Sequence, residues 1–314
     1  MDRLESMSTL VAAVEAGSLS AAARRLGMPL ATVSRKVSEL ELHLGTQLLH
    51  RSSRKLSLTD AGRSYLAACT RILEQIGEAE RAASGEYSAP RGDLVLSAPI
   101  VFGRLHVLPI VTEFLRVYPE IDVRIVFSDR LANLFEEHVD VAIRVGALPD
   151  SSLIATRLGA IRRCVCGSPG YFERRGIPKQ PPDLSHHDCI TFEGISSADS
   201  WLFEGKRRGQ SVQIRSRLIV NTAEAAIDAA RLGLGVTRVF SYQFADSERN
   251  GALQRVLKSF EPAPLPVHLL HTAQPLLPLK LRVFLDYAAP RLKAQLSAHT
   301  PLDGGAKAKD NRRA

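Results

Sequence analysis

The 314-residue sequence lacks any apolar run long enough to cross a membrane. Its first residues include Asp2 and Glu5 and contain no cleavable apolar segment, so we expect neither a secretory signal nor a membrane anchor. Only four cysteines are present, and their irregular spacing favours reduced thiols over a disulfide framework. Together these absences predict a cytoplasmic protein.

Signatures of common catalytic and nucleotide-binding sites are also absent. The sequence contains none of the patterns GxGxxG, GxxxxGK[ST], GxSxG and HExxH. His186, His187, Asp188 and Cys189 form the only tight cluster of metal-ligating residue types, and no second ligand pair follows at zinc spacing. We therefore expect no enzymatic activity, no cofactor and no metal site.

The sequence contains enough apolar residues to form large hydrophobic cores, and its basic residues outnumber its acidic ones. Hydrophobic residues make up 45% of the chain, and its length suits two domains of ordinary size. There are 41 Lys and Arg against 33 Asp and Glu, which gives a net charge of +8. Such a surplus suits a polyanionic partner but does not by itself identify one.

Three short helical patterns open the sequence. Apolar residues recur at helical spacing over residues 4–14, and Gly17 stands where that helix would end. Ser18 can cap a second helix, LSAAARRL, whose small inner residues allow a neighbouring helix to approach closely. Gly27-Met28-Pro29 then forms a turn, because glycine permits unusual backbone angles and proline is tolerated at a helix start.

The third helix pairs an apolar stripe with a polar face. Four aliphatic residues recur at spacings of 4, 3 and 4 from Val33 to Leu44, and Arg35 falls nearly opposite that stripe. Short side chains and hydroxyls around Arg35 would allow the helix to enter a DNA major groove. The alternative is an ordinary amphipathic helix in which Arg35 pairs with Glu39.

Two β-prone runs after this helix favour the DNA-binding interpretation. Residues 47–51 and 55–58 flank Ser52-Ser53-Arg54, a pattern typical of a two-stranded wing with basic residues at its tip. Such a tip could reach backbone phosphates or the minor groove. We therefore predict double-stranded DNA as a partner. The predicted contacts are Ala31, Thr32, Ser34, Arg35, Lys36, Arg51 and Arg54.

A long helix is predicted next, because Thr59 can cap a helix that starts near Asp60. Along it, residues recur at heptad-like spacing and form a seam. The seam residues are Tyr65, Cys69, Ile72, Ile76 and Ala79. The seam could pack on its own domain, but it leads into the linker-like segment SGEYSAPRGD, which suggests a partner chain. We therefore predict a homodimer or homotetramer.

From residue 93 onward, strand and helix patterns alternate. LVLSA (94–98), VRIVFS (123–128) and DVAIRV (140–145) have strand character, with helices expected at 103–118 and 131–138. RCVCGS begins a second set, and the late segments VHLLHT and KLRVFLDYAAPRLKAQL are expected to return to the first. This alternation predicts parallel sheets covered by helices.

Candidate ligand contacts follow from the rule that such sheets bind ligands beyond the carboxyl ends of their strands. They are Ser97, Pro99, Phe102, Ser128 and Arg144 in the first set, and Trp201, Asn221 and Thr222 in the second. Each has a local alternative as a turn hydroxyl, a helix cap or a surface ion pair. The basic Arg144 makes an anionic or aromatic acid the first class to test.

The stretch GSLSAAARRLGMPLATVSRKVSELELHLGTQLLHRSSRKLSLTDAG resembles the N-terminal signature of the LysR-type transcriptional regulators. The shared features are the Ala-rich helix, the turn, and the elements V-S-R, L-E, L-G, L-L-x-R and L-T-x-A-G. The sequence departs from the pattern at Pro29-Leu30-Ala31-Thr32, where many members have a capping serine that is often followed by proline. The side chains that would enter the groove are therefore less polar here.

The resemblance implies an α/β multidomain chain in which successive domains have different functions. It implies a winged helix-turn-helix domain over residues 1–59, a linker and dimerisation helix over 60–88, and a two-lobed effector-binding domain over 92–295, similar to periplasmic binding proteins. Lobe I would hold 92–161 and 268–295, lobe II would hold 162–267, and residues 298–314 would form a disordered tail. The implied function is sequence-specific DNA binding modulated by a small-molecule effector in the cleft between the lobes.

Two alternatives remain at this point. One is a thiol redox switch on the same scaffold that uses Cys164, Cys166 or Cys189, which requires an exposed thiol of low pKa. The other is a small-molecule-binding enzyme or receptor with a helical N-terminus, which predicts turnover or ligand binding without retention of specific DNA.

Overall fold

The computed structural model describes residues 1–50, 56–84, 89–129, 139–148, 152–193, 199–204, 210–273 and 277–299; the side chains of 71, 78, 81–84, 298 and 299 are not described. The chain divides into two compact units. One consists chiefly of Met1–Pro90, and the other consists chiefly of the residues that follow. Each unit is described separately.

The N-terminal unit contains three short helices, two short strands and one long helix. They are α1 (Arg3–Glu15), α2 (Leu19–Leu26), α3 (Leu30–Leu44), β1 (Leu49–His50), β2 (Ser57–Leu58) and α4 (Asp60–Ser84). The predicted start and stop signals are confirmed, because the Ser18 hydroxyl accepts a hydrogen bond from the Ala21 N–H and both Gly27 and Gly45 adopt left-handed backbone angles. β1 and β2 pair antiparallel, and the predicted wing tip between them lies outside the described residues.

Glu41, Thr59 and Gly62 have structural roles at the junction between α3, β1 and α4. The buried Glu41 carboxylate accepts hydrogen bonds from the N–H groups of Leu48 and Leu49, at 2.8 and 3.1 Å. The Thr59 hydroxyl caps α4 by accepting from the Gly62 N–H at 2.9 Å. A β-carbon at Gly62 would lie 2.0 Å from the Leu48 carbonyl oxygen, so only glycine fits there.

The second unit alternates strands and helices. In chain order its elements are β3 (Gly92–Ala98), α5 (Ile100–Phe102), a π-helical turn (Gly103–Val107), α6 (Leu108–Val117), β4 (Ile121–Phe127), β5 (Val141–Val145), β6 (Leu153–Ile161), β7 (Arg163–Gly167), α7 (Pro169–Arg175), β8 (Asp188–Phe192), β9 (Ser200–Phe203), β10 (Gln210–Gln213), β11 (Arg215–Val220), α8 (Ala223–Arg231), β12 (Val236–Phe240), α9 (Ser241–Arg249), β13 (Gln254–Val256), β14 (Leu265–Thr272) and α10 (Leu279–His299). The predicted helix at 131–138 lies outside the described residues.

Two five-stranded sheets form the two lobes of this unit. Lobe I has the strand order β4-β3-β5-β14-β6, and lobe II has the order β11-β8-β12-β7-β13 beside the hairpin β9–β10. The prediction of parallel sheets is wrong for part of each sheet: β3, β4 and β5 are parallel, as are β8, β11 and β12, but β14, β7 and β13 pair antiparallel. The antiparallel pairs involve β6, β7, β13 and β14, which are the strands on either side of the two crossings between the lobes, from β6 to β7 and from β13 to β14.

The carboxyl ends of the parallel strands are where each lobe places its helix starts. In lobe I, β3 leads directly into α5, and in lobe II β11 leads into α8 and β12 into α9. The predicted two-lobed α/β architecture is therefore confirmed. Within the described residues, no helix is both long and apolar enough to cross a membrane.

Candidate functional sites

The outer face of α3 carries the predicted DNA contacts. Ala31, Ser34 and Arg35 are exposed, and Thr32 is half-buried. The Arg35 side chain is 67% exposed and pairs with Glu39 at 3.2 Å along the helix. Arg35 thus lies opposite the buried stripe as predicted, and it also forms the local ion pair that was its alternative interpretation.

Lys36 lies toward the neighbouring helix. Its side chain is only 14% exposed, and its ammonium group forms an ion pair with Glu5 of α1. A phosphate contact by Lys36 would therefore compete with this ion pair. The remaining predicted contacts, Arg51 and Arg54, lie outside the described residues.

The first turn of α3 is apolar and lacks a side-chain cap. Pro29 occupies the N-cap position and accepts no hydrogen bond through its side chain. Leu30 follows with 48% of its surface exposed, and the next residue, Ala31, is exposed as well. Leu30 was not among the predicted contacts.

The seam on α4 divides into two halves with different surroundings. Tyr65 packs against the core that includes Leu10, and Cys69 is fully buried. Burial is also the main reason why the pKa of the Cys69 thiol is raised. Farther along, Ile72 is 40% exposed and Ala79 is exposed. The N-terminal half therefore packs on its own unit, and the C-terminal half faces outward, with Ile76 partly buried between them.

At the strand ends of lobe I, the structure brings two predicted effector residues together. Ser97 is 1% exposed and Arg144 is 6% exposed. The Arg144 guanidinium donates to the Ser97 hydroxyl at 3.2 Å and to the Ile143 carbonyl at 2.9 Å. Nearby, the Ser128 N–H donates to the Ala98 carbonyl at 2.9 Å, which links the ends of β4 and β3.

Asp129 occupies the helix start where an anionic ligand was expected. Pro99 precedes α5, and the N–H of Ile100 donates to one oxygen of the Asp129 carboxylate at 3.2 Å. The other carboxylate oxygen is buried and has no hydrogen-bond partner among the residues that the structure describes. Burial raises the pKa of Asp129, the Ile100 hydrogen bond lowers it, and the nearby Glu224 raises it further, with a net upward shift.

An aromatic cluster joins the two lobes. Phe102 is fully buried, 4.8 Å from the His106 ring and 5.5 Å from the ring of Tyr242 in α9. The Tyr242 hydroxyl is buried, and no described residue meets hydrogen-bond geometry with it. Burial, with the nearby carboxylates of Asp129 and Glu224, raises the pKa of Tyr242, and the Gln243 side chain lowers it by less. Arg104 and Glu224 approach to 3.9 Å as a second contact between the lobes. Phe102 is therefore covered by lobe II and does not line an open wall.

Trp201 lies in the core of lobe II. It is fully buried in β9, and the guanidinium of Arg238 lies 5.4 Å from its ring centroid. Arg238 also donates to the Leu202 carbonyl at 2.9 Å. Burial and the guanidinium of Arg163 on the adjacent strand both lower the pKa of Arg238. This part of lobe II therefore holds two guanidiniums close together in a poorly solvated place.

Asn221 and Thr222 precede α8 and differ in role. Asn221 is exposed. The Thr222 hydroxyl accepts a hydrogen bond from the Ala225 N–H at 3.4 Å and so caps α8. The sequence had left this cap as the local alternative for Thr222.

Sequence reasoning missed Asp129 and Tyr242. Each follows directly on a strand end, Asp129 after β4 and Tyr242 after β12, so the strand-end rule could have selected both. Their unsatisfied buried oxygens became visible only once the two lobes were assembled.

The cysteines and the metal-type cluster have packing roles. Cys164, Cys166 and Cys189 are free and fully buried, and burial raises the pKa of each thiol, that of Cys189 to about 12. His187 is buried against the Tyr171 hydroxyl at 3.2 Å. Among the residues that the structure describes, no group of three or more His, Cys, Asp or Glu side chains is placed to hold a metal ion.

The sequence matches two protein-family models that together span most of the chain. "Bacterial regulatory helix-turn-helix protein, lysR family" matches residues 4–63, and "LysR substrate binding domain" matches residues 88–293.

Similar curated proteins include a transcriptional repressor and a transcriptional activator. An HTH-type transcriptional repressor of Pseudomonas aeruginosa is 36% identical over 289 residues, which are 91% of this chain and 91% of that protein. The HTH-type transcriptional activator AaeR of Escherichia coli is 32% identical over 286 residues, which are 91% of this chain and 93% of AaeR.

Similar solved structures include full-length and partial regulators. CrgA of Neisseria meningitidis, a LysR-type transcriptional regulator, has a TM-score of 0.59 at 30% identity and covers 92% of this chain and 98% of its own. The virulence activator AphB of Vibrio cholerae has a TM-score of 0.58 at 26% identity, with 91% and 98% covered. The regulatory domain of Vibrio vulnificus AphB treated with cumene hydroperoxide has a TM-score of 0.54 at 25% identity, with 64% and 98% covered.

Proposed function

The chain belongs to the LysR family of transcriptional regulators, and from that premise we propose which of its residues contact DNA, effector and partner chain. As a member it has a helix-turn-helix DNA-binding domain and a domain that binds a small-molecule effector. We propose that an effector held between lobes I and II controls binding of a specific operator. We also propose a cytoplasmic location, because a regulator must reach the DNA that it binds, and no catalytic activity, because the relatives are named as regulators.

The exposed face of α3 supports the DNA interface. Ser34 and Arg35 lie there, opposite the buried stripe, beside the exposed Ala31. We propose that this face enters the major groove and that Thr32, Lys36 and the wing residues Arg51 and Arg54 contact its borders. Lys36 would exchange its ion pair with Glu5 for a phosphate.

Substitution of Arg35 tests the DNA interface. Arg35→Ala should weaken binding to a selected operator by about 1–3 kcal/mol if the guanidinium contacts a base edge. The matched control is Arg249→Ala, because Arg249 is another highly exposed arginine in a short-range ion pair, on α9. Gel-shift titrations that give equal affinities for the two variants would remove Arg35 from the interface.

The buried guanidinium of Arg144 beside Ser97 is the observation that carries the effector proposal. We propose that Arg144 and Ser97 bind an anionic group of the effector at the strand ends of lobe I, near Pro99 and Ser128. Asn221, exposed beside the start of α8, is the candidate from lobe II. A buried cation favours an anion because water competes poorly for it.

The other candidate residues contribute less directly. Phe102, Trp201 and Thr222 are already engaged in aromatic packing, core packing and a helix cap. We propose that they shape the site through these contacts and reach an effector only where the lobes separate. We add Asp129 and Tyr242, which each have a buried oxygen without a hydrogen-bond partner among the described residues and lie at the junction of the lobes.

Ligand binding to the full-length protein tests this arrangement. A panel of aromatic and aliphatic carboxylates is screened by thermal shift, and hits are measured by calorimetry. Ser97→Ala should weaken a hit by about 1 kcal/mol or more through the loss of a hydroxyl and the displacement of Arg144. Thr112→Ala is the control, because that hydroxyl bonds only within α6. A hit that binds Ser97→Ala and Arg144→Gln as it binds wild type would place the anion site elsewhere.

The outward half of the α4 seam supports self-association. We propose a homodimer in which Ile72, Ile76 and Ala79 meet a second copy, while Tyr65 and Cys69 position α4 on its own unit. Replacing both Ile72 and Ile76 with Glu should dissociate the dimer, because each carboxylate would be buried against an apolar partner. Sedimentation velocity compares this variant with Gln75→Glu, which adds charge on the same helix off the seam. An unchanged mass would argue for a different interface, and a larger species in the wild type would indicate a tetramer.

A further inference from the structure

Two arginines of lobe II, Arg163 and Arg238, lie side by side on one face of its sheet. In the antiparallel pair of β7 and β12, Arg163 is opposite Phe240, and Arg238 comes two residues before Phe240. Because side chains two residues apart on a strand share a face, the two arginines are diagonal neighbours, at a separation that long side chains can span. Their guanidiniums are therefore within reach of one common ligand.

Both guanidiniums are poorly solvated, and their like charges repel each other. Arg238 is 4% exposed and Arg163 is half-buried. Burial lowers the pKa of both groups, and the charge of Arg163 lowers that of Arg238 further, to about 9. Burial alone accounts for the shift at Arg163, so no carboxylate of the described residues lies close enough to offset its charge. Two like charges in such a place are unfavourable unless an anion lies beside them.

Buried hydrogen-bond donors accompany these charges. Trp201 is fully buried, and its indole N–H has no hydrogen-bond partner among the residues that the structure describes. The guanidinium of Arg238 lies 5.4 Å from the centre of the Trp201 ring, so the indole and this cation share one small region. The Nε–H of Arg163 is also buried, and it has no acceptor within the described part of the chain. A ligand that accepts hydrogen bonds and carries negative charge would satisfy all of these groups at once.

We propose that Arg163, Arg238 and the indole N–H of Trp201 form a second anion site, in lobe II, for a small oxyanion that presents a carboxylate or phosphate group. The planar guanidinium matches both groups, because each offers oxygens at the spacing of its N–H donors. Arg163 is the one member of the three with partial exposure, so the ligand enters from its side. The site is independent of the one proposed at Ser97 and Arg144, which lies in lobe I.

Trp201 is the only tryptophan of the chain, so its fluorescence reports directly on this site. Full-length protein in an amine buffer is titrated with sodium phosphate and, separately, with sodium acetate. Sodium chloride at equal ionic strength is the reference for both titrations. A saturable change in tryptophan fluorescence is expected with at least one of the two oxyanions, and the better ligand identifies the group that the site binds. At about ten times its Kd, that ligand should raise the thermal midpoint by about 3–6 °C.

Substitution of Arg163 is the main test of the site. Arg163→Gln should weaken binding of the oxyanion by about tenfold or more, because a charged hydrogen-bonding group is lost from a poorly solvated place. The matched control is Arg217→Gln, which removes the same charge from β11 of the same sheet, where Arg217 pairs with Asp188. It should bind as wild type does. Trp201→Phe keeps an aromatic ring beside Arg238 and removes only the N–H, and thermal shift should show weaker binding by a smaller factor.

A purely structural role for Arg163 predicts a different result. Without phosphate or acetate, Arg163→Gln should be at least as stable as wild type, because it relieves the repulsion with Arg238. With the ligand at saturation, wild type should become the more stable protein. If Arg163→Gln lowers the thermal midpoint equally in both conditions, the arginine only packs, and the proposal is overturned.

Other results would also overturn the proposal. One is a response no larger than that to sodium chloride, and another is an equal response in Arg163→Gln and Arg217→Gln. A response that Ser97→Ala removes and Arg163→Gln retains would assign the anion to lobe I. Failure of operator binding would leave the lobe II site unaffected, because none of these titrations contains DNA.

Discussion

The N-terminal unit and the effector-binding unit differ in the solvent exposure of their candidate functional residues. In the first, the residues assigned to DNA lie on the exposed face of α3, and the buried ones, such as Glu41 and Gly62, hold the fold. In the second, the two residues that carry the effector proposal, Ser97 and Arg144, are buried and bond to each other. In the first unit the candidate functional residues and the core residues are different side chains, whereas in the second unit Ser97 and Arg144 are both candidate functional residues and buried residues.

Both units nevertheless depend on one glycine pressed against a backbone carbonyl, and this allows the sharpest test of the comparison. A β-carbon at Gly62 would lie 2.0 Å from the Leu48 oxygen, and one at Gly235 would lie 2.1 Å from the Asp188 oxygen. Because backbone cannot give way as a side chain can, Gly62→Ala and Gly235→Ala should each cost about 3 kcal/mol or more. We expect Gly62→Ala to abolish operator binding and Gly235→Ala to abolish effector binding.

The matched control for this pair is Gly45→Ala. Gly45 has a left-handed φ of 65° but open space around its position, so only backbone strain of about 1 kcal/mol is expected. Chemical denaturation measures all three variants. If Gly45→Ala and Gly62→Ala lower the free energy of unfolding equally, the backbone near the Leu48 carbonyl can adjust to a β-carbon at low energetic cost.

The first unit could be predicted almost completely from the sequence. Its start and stop residues, Ser18, Gly27, Gly45 and Thr59, act through local backbone geometry, which lies within the reach of a sequence pattern. The α4 seam was predicted as one surface, but its two halves differ, because Tyr65 packs against the core that includes Leu10 of α1 and Cys69 is fully buried, whereas Ile72 is 40% exposed. Which seam residues are buried by the rest of the unit depends on tertiary packing, which a sequence pattern does not contain.

The second unit was predictable in some of its strands but less so in its candidate site. Periodicity and composition located β3, β4 and β5 through the runs LVLSA, VRIVFS and DVAIRV, but they did not locate β6, β8, β9, β10 or β13. The rule of strand ends selected Ser97 and Arg144 together, but it also selected Trp201, which lies in the lobe II core. It omitted Tyr242, whose place depends on how α9 meets Phe102 across the lobes. No local pattern contains that contact.

Loss of the Glu41 carboxylate should have the next largest effect. Glu41→Ala leaves the N–H groups of Leu48 and Leu49 without their acceptor inside the N-terminal unit, at an expected cost of about 2–3 kcal/mol. Glu39→Ala is the control, because Glu39 is more exposed and pairs only with Arg35. If thermal unfolding gives the same midpoint for both variants, the buried carboxylate contributes less than its hydrogen bonds suggest.

A smaller effect is expected at Thr222, where cap and effector contact can be separated. Thr222→Ala removes the cap of α8 and should cost about 1 kcal/mol, whereas Thr222→Ser keeps the hydroxyl and should restore stability. If the cap is the main role, effector affinity measured by calorimetry should follow stability in both variants. An effector that distinguishes Thr from Ser at equal stability would indicate a direct contact with the threonine methyl.

The smallest effect is expected from oxidants, and it separates this chain from a thiol switch. A peroxide-treated AphB domain is among the similar structures, yet burial here raises the pKa of Cys164, Cys166 and Cys189 above the usual thiol value. A raised pKa keeps each thiol protonated at neutral pH, and the thiolate is the form that peroxide attacks. Operator affinity should therefore be unchanged after cumene hydroperoxide, and a thiol reagent should label the native protein slowly and the unfolded protein fully. A rapid loss of DNA binding after peroxide treatment that Cys189→Ser prevents would contradict this prediction. The second unit would then be a redox sensor whose reactive thiol, like Ser97 and Arg144, is buried.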